Sequence, residues 1–150
     1  MSEPLLRPAT AEDVDGIGRL VVAAFEKYVD RMGRAPAPMT ADYAELLHTS
    51  RVWVLLEGDQ LVGVLVTKSE VDHLLLDIIA IAPTAQGDGH GRRLLKRADL
   101  DARESGLTEI RLCTHETMTE NLAYYPRRGF HETGRGSQDG FHRVFFAKAV

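Results

Sequence analysis

The chain has 150 residues, 44% of them hydrophobic and 27% charged, which is the size and balance of one folded domain rather than of a disordered or fibrous chain. A net charge of −4 argues against a general nucleic-acid binder, and no apolar run approaches the roughly 20 residues of a membrane span. The single cysteine, Cys113, excludes a disulfide framework and a four-cysteine zinc site, so a reducing, cytoplasmic setting is expected; the opening Met-Ser-Glu-Pro-Leu-Leu-Arg has no signal-peptide pattern.

Leu5–Pro8 reads as a short strand. Thr10 and Asp13 then form a capping-box-like start, and Val14, Ile17, Leu20, Val21, Ala24, Phe25 and Tyr28 follow at helical spacing. Asp30–Thr40 is expected to be a loop, because Gly33, Pro36 and Pro38 oppose regular structure, with a short helix over about Ala41–His48. Arg51–Leu56 and Leu61–Thr67 are apolar and β-branched and form a hairpin, with Trp53 reading as core. Leu74–Ile81 is a third strand, apolar on both alternations except at Asp77, so helices must cover both faces of this sheet.

A helix is expected from about Gly89 to Glu104, a strand over Thr108–Cys113 and a short helix over Asn121–Arg128. Phe130–Thr133 and Phe141–Ala147 read as a last hairpin around a Gly134–Gly140 loop. The order β-α-α-β-β-β-α-β-α-β-β gives an α/β domain with a mixed, mostly antiparallel central sheet and helices on both faces. No internal repeat or low-complexity tract interrupts it, and a single domain over residues 1–150 is expected.

Between the third strand and the helix lies Gln86-Gly87-Asp88-Gly89-His90-Gly91-Arg92-Arg93. Glycines at alternate positions allow sharp turns and bare N–H groups, and the helix that follows adds the positive end of its dipole. Together these make an anion cradle. Charge agrees: residues 1–80 carry 13 acids and 7 bases, whereas residues 81–150 carry 9 acids and 11 bases. Neither the dinucleotide fingerprint nor the Walker pattern fits the glycine spacing.

The spacing Gln86-x-x-Gly89-x-Gly91 instead resembles the Arg/Gln-x-x-Gly-x-Gly/Ala signature of the GNAT superfamily of acyl-CoA-dependent N-acetyltransferases. The preceding Asp77-Ile78-Ile79-Ala80-Ile81-Ala82-Pro83 is similar to that family's pantetheine-binding strand. The later Asn121-Leu122-Ala123-Tyr124-Tyr125-Pro126-Arg127-Arg128-Gly129-Phe130 is similar to its Asn…Tyr-x-x-x-Gly-Phe segment.

The resemblance implies that acetyl-CoA is the acyl donor and a small-molecule or peptide amine the acceptor, with no metal, nucleic acid or membrane involved. Family domains often pair, so a homodimer is among the expected assemblies. It further implies that Gln86, Gly87, Asp88, Gly89, His90, Gly91 and Arg92 wrap the pyrophosphate. Ile79, Ala80 and Ile81 would pair with the pantetheine arm, the Ile79 N–H would polarise the thioester carbonyl, Asn121 would contact the cofactor, and Tyr125 would protonate the leaving thiolate.

Chemistry asks for the same groups. An alkylamine of pKa ~10.4 is about 0.1% neutral near pH 7.4, so a base is needed, and a phenol of pKa ~10 is a protonated acid there. Asp77 is the candidate base, through water, although a structural hydrogen bond explains a carboxylate in that run more readily; Glu116 and His115 are alternatives. Tyr124 reads as a packed aromatic. Cys113 and His115 lie two apart on a strand without alignment for proton transfer. Pro126, directly after Tyr125, should kink the helix or delay its start. Arg31 and Arg34 suit a carboxylate on the acceptor, which the Tyr28–Tyr43 segment and the Gly134–Gly140 loop would enclose. Two other readings share the loop: a GNAT-like module that holds acyl-CoA without turnover, and a nucleotide-phosphate binder.

Overall fold

The computed structural model describes residues 4–150. Strands β1 (Leu5–Pro8), β2 (Arg51–Glu57), β3 (Gln60–Ser69), β4 (Leu74–Ile81), β5 (Glu109–His115), β6 (His131–Gln138) and β7 (Phe141–Ala149) form one sheet in the order β1-β2-β3-β4-β5-β7-β6. Neighbours are antiparallel except β4 and β5, which are parallel and pair only at Leu74↔Ile110 and Leu75↔Arg111. Beyond those two pairs the strands diverge, and the gap between them is the central feature of the molecule.

The helices divide between the two faces. On one face, α1 (Val14–Phe25) and α4 (Tyr43–Thr49) bury Ile17, Leu20, Val21 and Tyr43 against Val52, Val54, Val64, Val66, Ile78 and Ala80. On the other, α5 (His90–Glu104) presses Leu94, Leu95, Ala98 and Ala102 onto Leu55, Leu65, Leu74, Leu76, Ile110 and Leu112. There α6 (Thr119–Arg127) brings Tyr125 against Phe130 and Phe146. Helices therefore cover both faces, as the strand pattern requires, but α1 and α4 cover only the β2–β4 half of theirs.

A carboxylate lies inside this packing. The Asp101 carboxylate is wholly buried and accepts hydrogen bonds from Arg51 Nη1, Trp53 Nε1, Thr67 Oγ1 and Arg97 Nε at 2.8–3.0 Å. Four donors make a buried carboxylate tolerable. They also explain why Trp53, expected as plain core, is only partly buried with its indole N–H turned to Asp101.

Three expectations are corrected. The Asp30–Thr40 segment is not wholly irregular: α2 (Val29–Met32) ends at Gly33 with φ +72°, and α3 (Ala37–Thr40) carries Pro38 in its first turn, where a missing N–H costs nothing. Gly134–Gly140 is not a loop, because β6 and β7 pair as far as Gln138↔Phe141 and leave a two-residue turn at Asp139-Gly140. Both turn residues have positive φ, +55° and +80°, as a tight hairpin turn with the twist of its strands requires. Finally, the last helix starts at Thr119, not Asn121, so Pro126 falls in its last turn rather than its middle.

Candidate active site

The gap between β4 and β5 opens into a cavity of about 1380 Å³, larger than the usual ~300–1,000 Å³ of a small-ligand pocket. Its lining includes the phosphate-loop residues Gln86–Arg92 with Ile79, Asn121, Tyr124 and Tyr125, and also Tyr28, Asp77, Phe141 and Arg143. The direction of the β4 backbone follows from one hydrogen bond. Ala82 N–H donates to Val62 O on β3, at 2.8 Å. Alternate residues of a strand turn their polar groups to opposite edges, so Ala80 also faces β3, while Ile79 and Ile81 face the gap. Gln86 Nε2 donates to Ile81 O at 3.3 Å, in keeping with this. Ala80, grouped with its neighbours by sequence, supplies wall rather than free main-chain groups.

The loop Gln86–Arg92 holds a run of unsatisfied donors. Ala85 N–H closes a turn onto Ala82 O, and the next backbone N–H with a partner is that of Arg93, which donates to Gly89 O. The N–H groups from Gln86 to Arg92 have no acceptor among the described residues. Gly87 and Gly89 have φ of +89° and +84°, and a Cβ at either would meet nothing within 4 Å, so the hollow they border is open. Gly91 serves another purpose: a Cβ there would lie 2.8 Å from the Tyr124 hydroxyl, so glycine lets α5 approach α6. His90 contributes its backbone alone. Its ring is buried and donates from Nε2 to Glu57 Oε1 at 2.8 Å, tying the loop to the β2–β3 hairpin. With Asp88 these donors lie within 4.8 Å of one another, a grouping that the hydrogen bond already accounts for.

Tyr125 is placed by the end of α6. Gly129, at φ +94°, follows the helix, Phe130 N–H donates to Tyr125 O at 3.1 Å and Gly129 N–H donates to Pro126 O at 3.3 Å. This is a Schellman ending, whose usual apolar contact is here the edge-to-face pair of Tyr125 and Phe130, 5.6 Å between ring centres. Pro126 sits inside that ending, so it does not turn Tyr125 away. The Tyr125 hydroxyl has no hydrogen-bond partner among the described residues, and burial holds its pKa well above the ordinary phenol value, with Tyr124, Tyr28 and Cys113 as its titratable neighbours. Asn121 donates from Nδ2 to Thr114 Oγ1 at 3.1 Å, which fixes its side chain at the cavity wall.

Asp77 departs from the expectation of a hydrogen-bonded buried carboxylate. The β3–β4 register shifts between Val66↔Ile78 and Thr67↔Leu76, which leaves Asp77 as the extra residue of a bulge. The bulge switches the alternation of β4, turns Asp77 to the cavity, and leaves its carboxylate with no hydrogen bond among the described residues. Desolvation raises its pKa, while the charges of Lys68 and Arg143 act against that rise.

His115 is held differently. Thr117 N–H donates to its Nδ1 at 3.2 Å, which puts the proton of the neutral ring on Nε2, and burial keeps the ring neutral by lowering its pKa. The free nitrogen is thus a donor, not a base. Glu116 is exposed and lies outside the cavity lining.

Arg31 and Arg34 also lie outside that lining. Arg31 is bidentate to Glu120, at 2.6 and 3.1 Å, and clamps α2 to α6. That pair holds the Glu120 carboxyl down at about 2. Arg34 stacks over Phe141, 4.1 Å from the ring centre. A cation that does line the cavity is Arg143, which no local motif marks.

Among the described residues, no helix is long and apolar enough to cross a membrane. Residues 48–132 match the family model described as an acetyltransferase (GNAT) domain. The [ribosomal protein bS18]-alanine N-acetyltransferase of Haemophilus influenzae is 32% identical over 78 residues, which are 52% of this chain and 53% of that protein. The chain thus matches about half the length of this curated relative. Among solved structures, the PaiA N-acetyltransferase of Thermoplasma acidophilum, in complex with coenzyme A, superposes with a TM-score of 0.81 at 16% identity, covering 100% of both chains. The ribosomal-protein-S18-alanine N-acetyltransferase of Escherichia coli superposes with a TM-score of 0.77 at 18% identity, over 98% of this chain and 94% of the other. The family match spans more than half the chain, and these structures share its fold: the protein belongs to the GNAT acetyltransferase family.

Proposed function

We propose that the protein transfers an acetyl group from acetyl-CoA directly to an amine nitrogen. The observation that carries this reading is the run of unpartnered N–H groups from Gln86 to Arg92 at the start of α5, opening into the same cavity as Tyr125 and Asp77. Seven adjacent donors at the positive end of a helix suit a pyrophosphate. The gap-facing edge of β4 at Ile79 and Ile81 offers main-chain groups to the amides of a pantetheine arm. The Ile79 N–H is then the donor that stabilises charge on the thioester oxygen.

Asp77 takes the proton of the amine, through water. Its raised pKa makes it a better proton acceptor than an ordinary carboxylate. Tyr125, kept protonated by burial, donates to the departing sulfur. The burial that weakens the phenol as an acid also raises the basicity of a thiolate formed beside it, so the transfer keeps its driving force. The amine attacks the thioester directly, so no covalent enzyme intermediate is needed.

The test is thiol release from acetyl-CoA over a panel of free amino acids, polyamines, aminoglycosides and peptide N-termini. Turnover with any acceptor, lost in Tyr125→Phe, supports the assignment. Tight acetyl-CoA binding with no turnover across the panel replaces it with a donor-binding module.

A further inference from the structure

Five basic side chains line the cavity: Lys27, Arg92, Arg111, Arg128 and Arg143. Lys27 pairs with Glu120 at 3.4 Å, and Arg111 with Glu109 at 2.6 Å and Asp72 at 3.5 Å. Arg92 and Arg128 stand beside Tyr124, next to the phosphate loop, where donor phosphates would account for them, including the Arg128 Nε that is likewise buried without a partner. Arg143 is left. It forms no ion pair among the described residues, its Nε is buried without any hydrogen-bond partner, and Nη1 makes only a weak bond to Cys113 Sγ at 3.1 Å. The guanidinium stands 5.1 Å from the centre of the Phe141 ring, which supports its plane.

The strand fixes its direction. Val144 and Phe146 on β7 face the α5 and α6 core, so Phe141, Arg143 and Phe145 face the opposite side, where α1 and α4 leave the sheet uncovered. Asp77 faces that side too and is within electrostatic reach of Arg143. A half-buried guanidinium with an unsatisfied N–H is an unfinished recognition site, since its planar fork is shaped for a two-oxygen anion. The donor's phosphates lie on the other face.

We propose that Arg143 binds a carboxylate of the acceptor, so that the substrate is an amino acid with a free carboxyl group rather than a peptide N-terminus or a polyamine. This rests on the transfer reading above. Asp77 takes the amine proton while Arg143 holds the carboxylate a few bonds away, which orients the nitrogen toward the gap. Phe141 and Phe145 offer an apolar wall to the amino acid's side chain.

The experiment compares each free amino acid with its carboxamide, and with spermidine, as acceptors for the wild type, Arg143→Gln and Arg143→Lys, after thermal melts establish that the variants fold. The expected result is a free acid used at least tenfold better than its amide. Arg143→Gln should raise the KM of the acid about 10- to 100-fold, the range of one lost charge-assisted pair, without changing that of the amide. Arg143→Lys should restore part of the preference. A role limited to tuning Asp77 would move the pH profile and leave the acid-to-amide ratio untouched, and that outcome overturns the proposal. So does equal use of acids and amides.

A second arm does not need turnover: calorimetry of N-acetyl amino acids against N-acetyl amino acid amides on the CoA-saturated protein. Arg143-dependent binding of the acids without thiol release would keep the carboxylate site and discard the transfer reading. Absence of both turnover and binding would discard the site.

Discussion

Gly89 offers a test in which the strain is known before the experiment. Its φ of +84° lies in the left-handed region, and a Cβ added there touches nothing within 4 Å, so a substitution meets no steric resistance in the free protein. For alanine the cost is conformational, about 1–2 kcal/mol. The loop can keep its shape and store that energy, lowering the melting temperature by about 2–4 °C per kcal/mol for a chain of this size. Alternatively it can relax to negative φ, turning its amides, and recover the shape only on binding. The loss then appears as an affinity for acetyl-CoA weaker by about 5- to 30-fold. Gly89→Val adds a branched side chain at the rim of the hollow and should exceed tenfold. Gly106→Ala is the matched control, with φ of +72°, an equally open Cβ position, and a location at the far end of α5. It should lower stability alone. Calorimetry with acetyl-CoA and thermal melts on the three variants give both readouts. If Gly89→Ala and Gly89→Val bind acetyl-CoA like the wild type, the loop does not cradle the pyrophosphate.

Tyr125→Phe should lower kcat by about 10²- to 10⁴-fold while acetyl-CoA affinity holds; a loss under threefold, matched by Tyr124→Phe, would remove Tyr125 from the mechanism. Because the Asp77 pKa is raised, the acid limb of kcat/KM against pH should lie above the ordinary value of 3.8, move further up in Lys68→Ala, and vanish in Asp77→Asn. The same sign governs stability: a carboxylate that holds its proton more tightly when folded destabilises the fold as pH rises through that pKa. Asp77→Asn should therefore melt no lower than the wild type at pH 7, and a clear drop would give Asp77 a structural role instead. Asp101→Ala strands Trp53 and Thr67, leaves Arg51 and Arg97 with Glu104 alone, and should cost about 3–5 kcal/mol, moving the urea midpoint down by more than about 1 M at unchanged slope; a shift under about 0.3 M would mean that the network contributes little.

Much of this was legible locally. Period-2 apolar runs and bounding turns give β2, β3 and β4, and the glycine spacing before an amphipathic helix gives the phosphate loop, because each depends on neighbours a few residues apart. The bulge at Asp77 depends on how β4 registers against β3, which no stretch of β4 encodes alone. Asp101 carries no signal within α5, because its four donors come from β2, β3 and a neighbouring turn of the helix. Arg143 is unmarked for a related reason: its meaning is the absence of a partner, and partners are known only once the chain has closed. The last hairpin was legible and misread. Asp139-Gly140 is a strong signal for a two-residue turn, but the glycines at 134 and 136 suggested a longer loop. Arg31 was chosen for its chemistry, and Glu120, distant in sequence, had already claimed it.

The two-pair contact between β4 and β5 makes the sheet mechanically two plates, β1 to β4 and β5 to β7, hinged at Leu74 and Leu75. On one face α5 and α6 brace the hinge; on the other the second plate is bare. A pantetheine arm laid along the open edge would act as the missing strand, so the donor is a structural component of the sheet it enters. On the proposed reading, linkage would then tie the rigidity of the seam to the supply of donor. Ordered binding, donor before acceptor, would follow from the way the strands are sewn together.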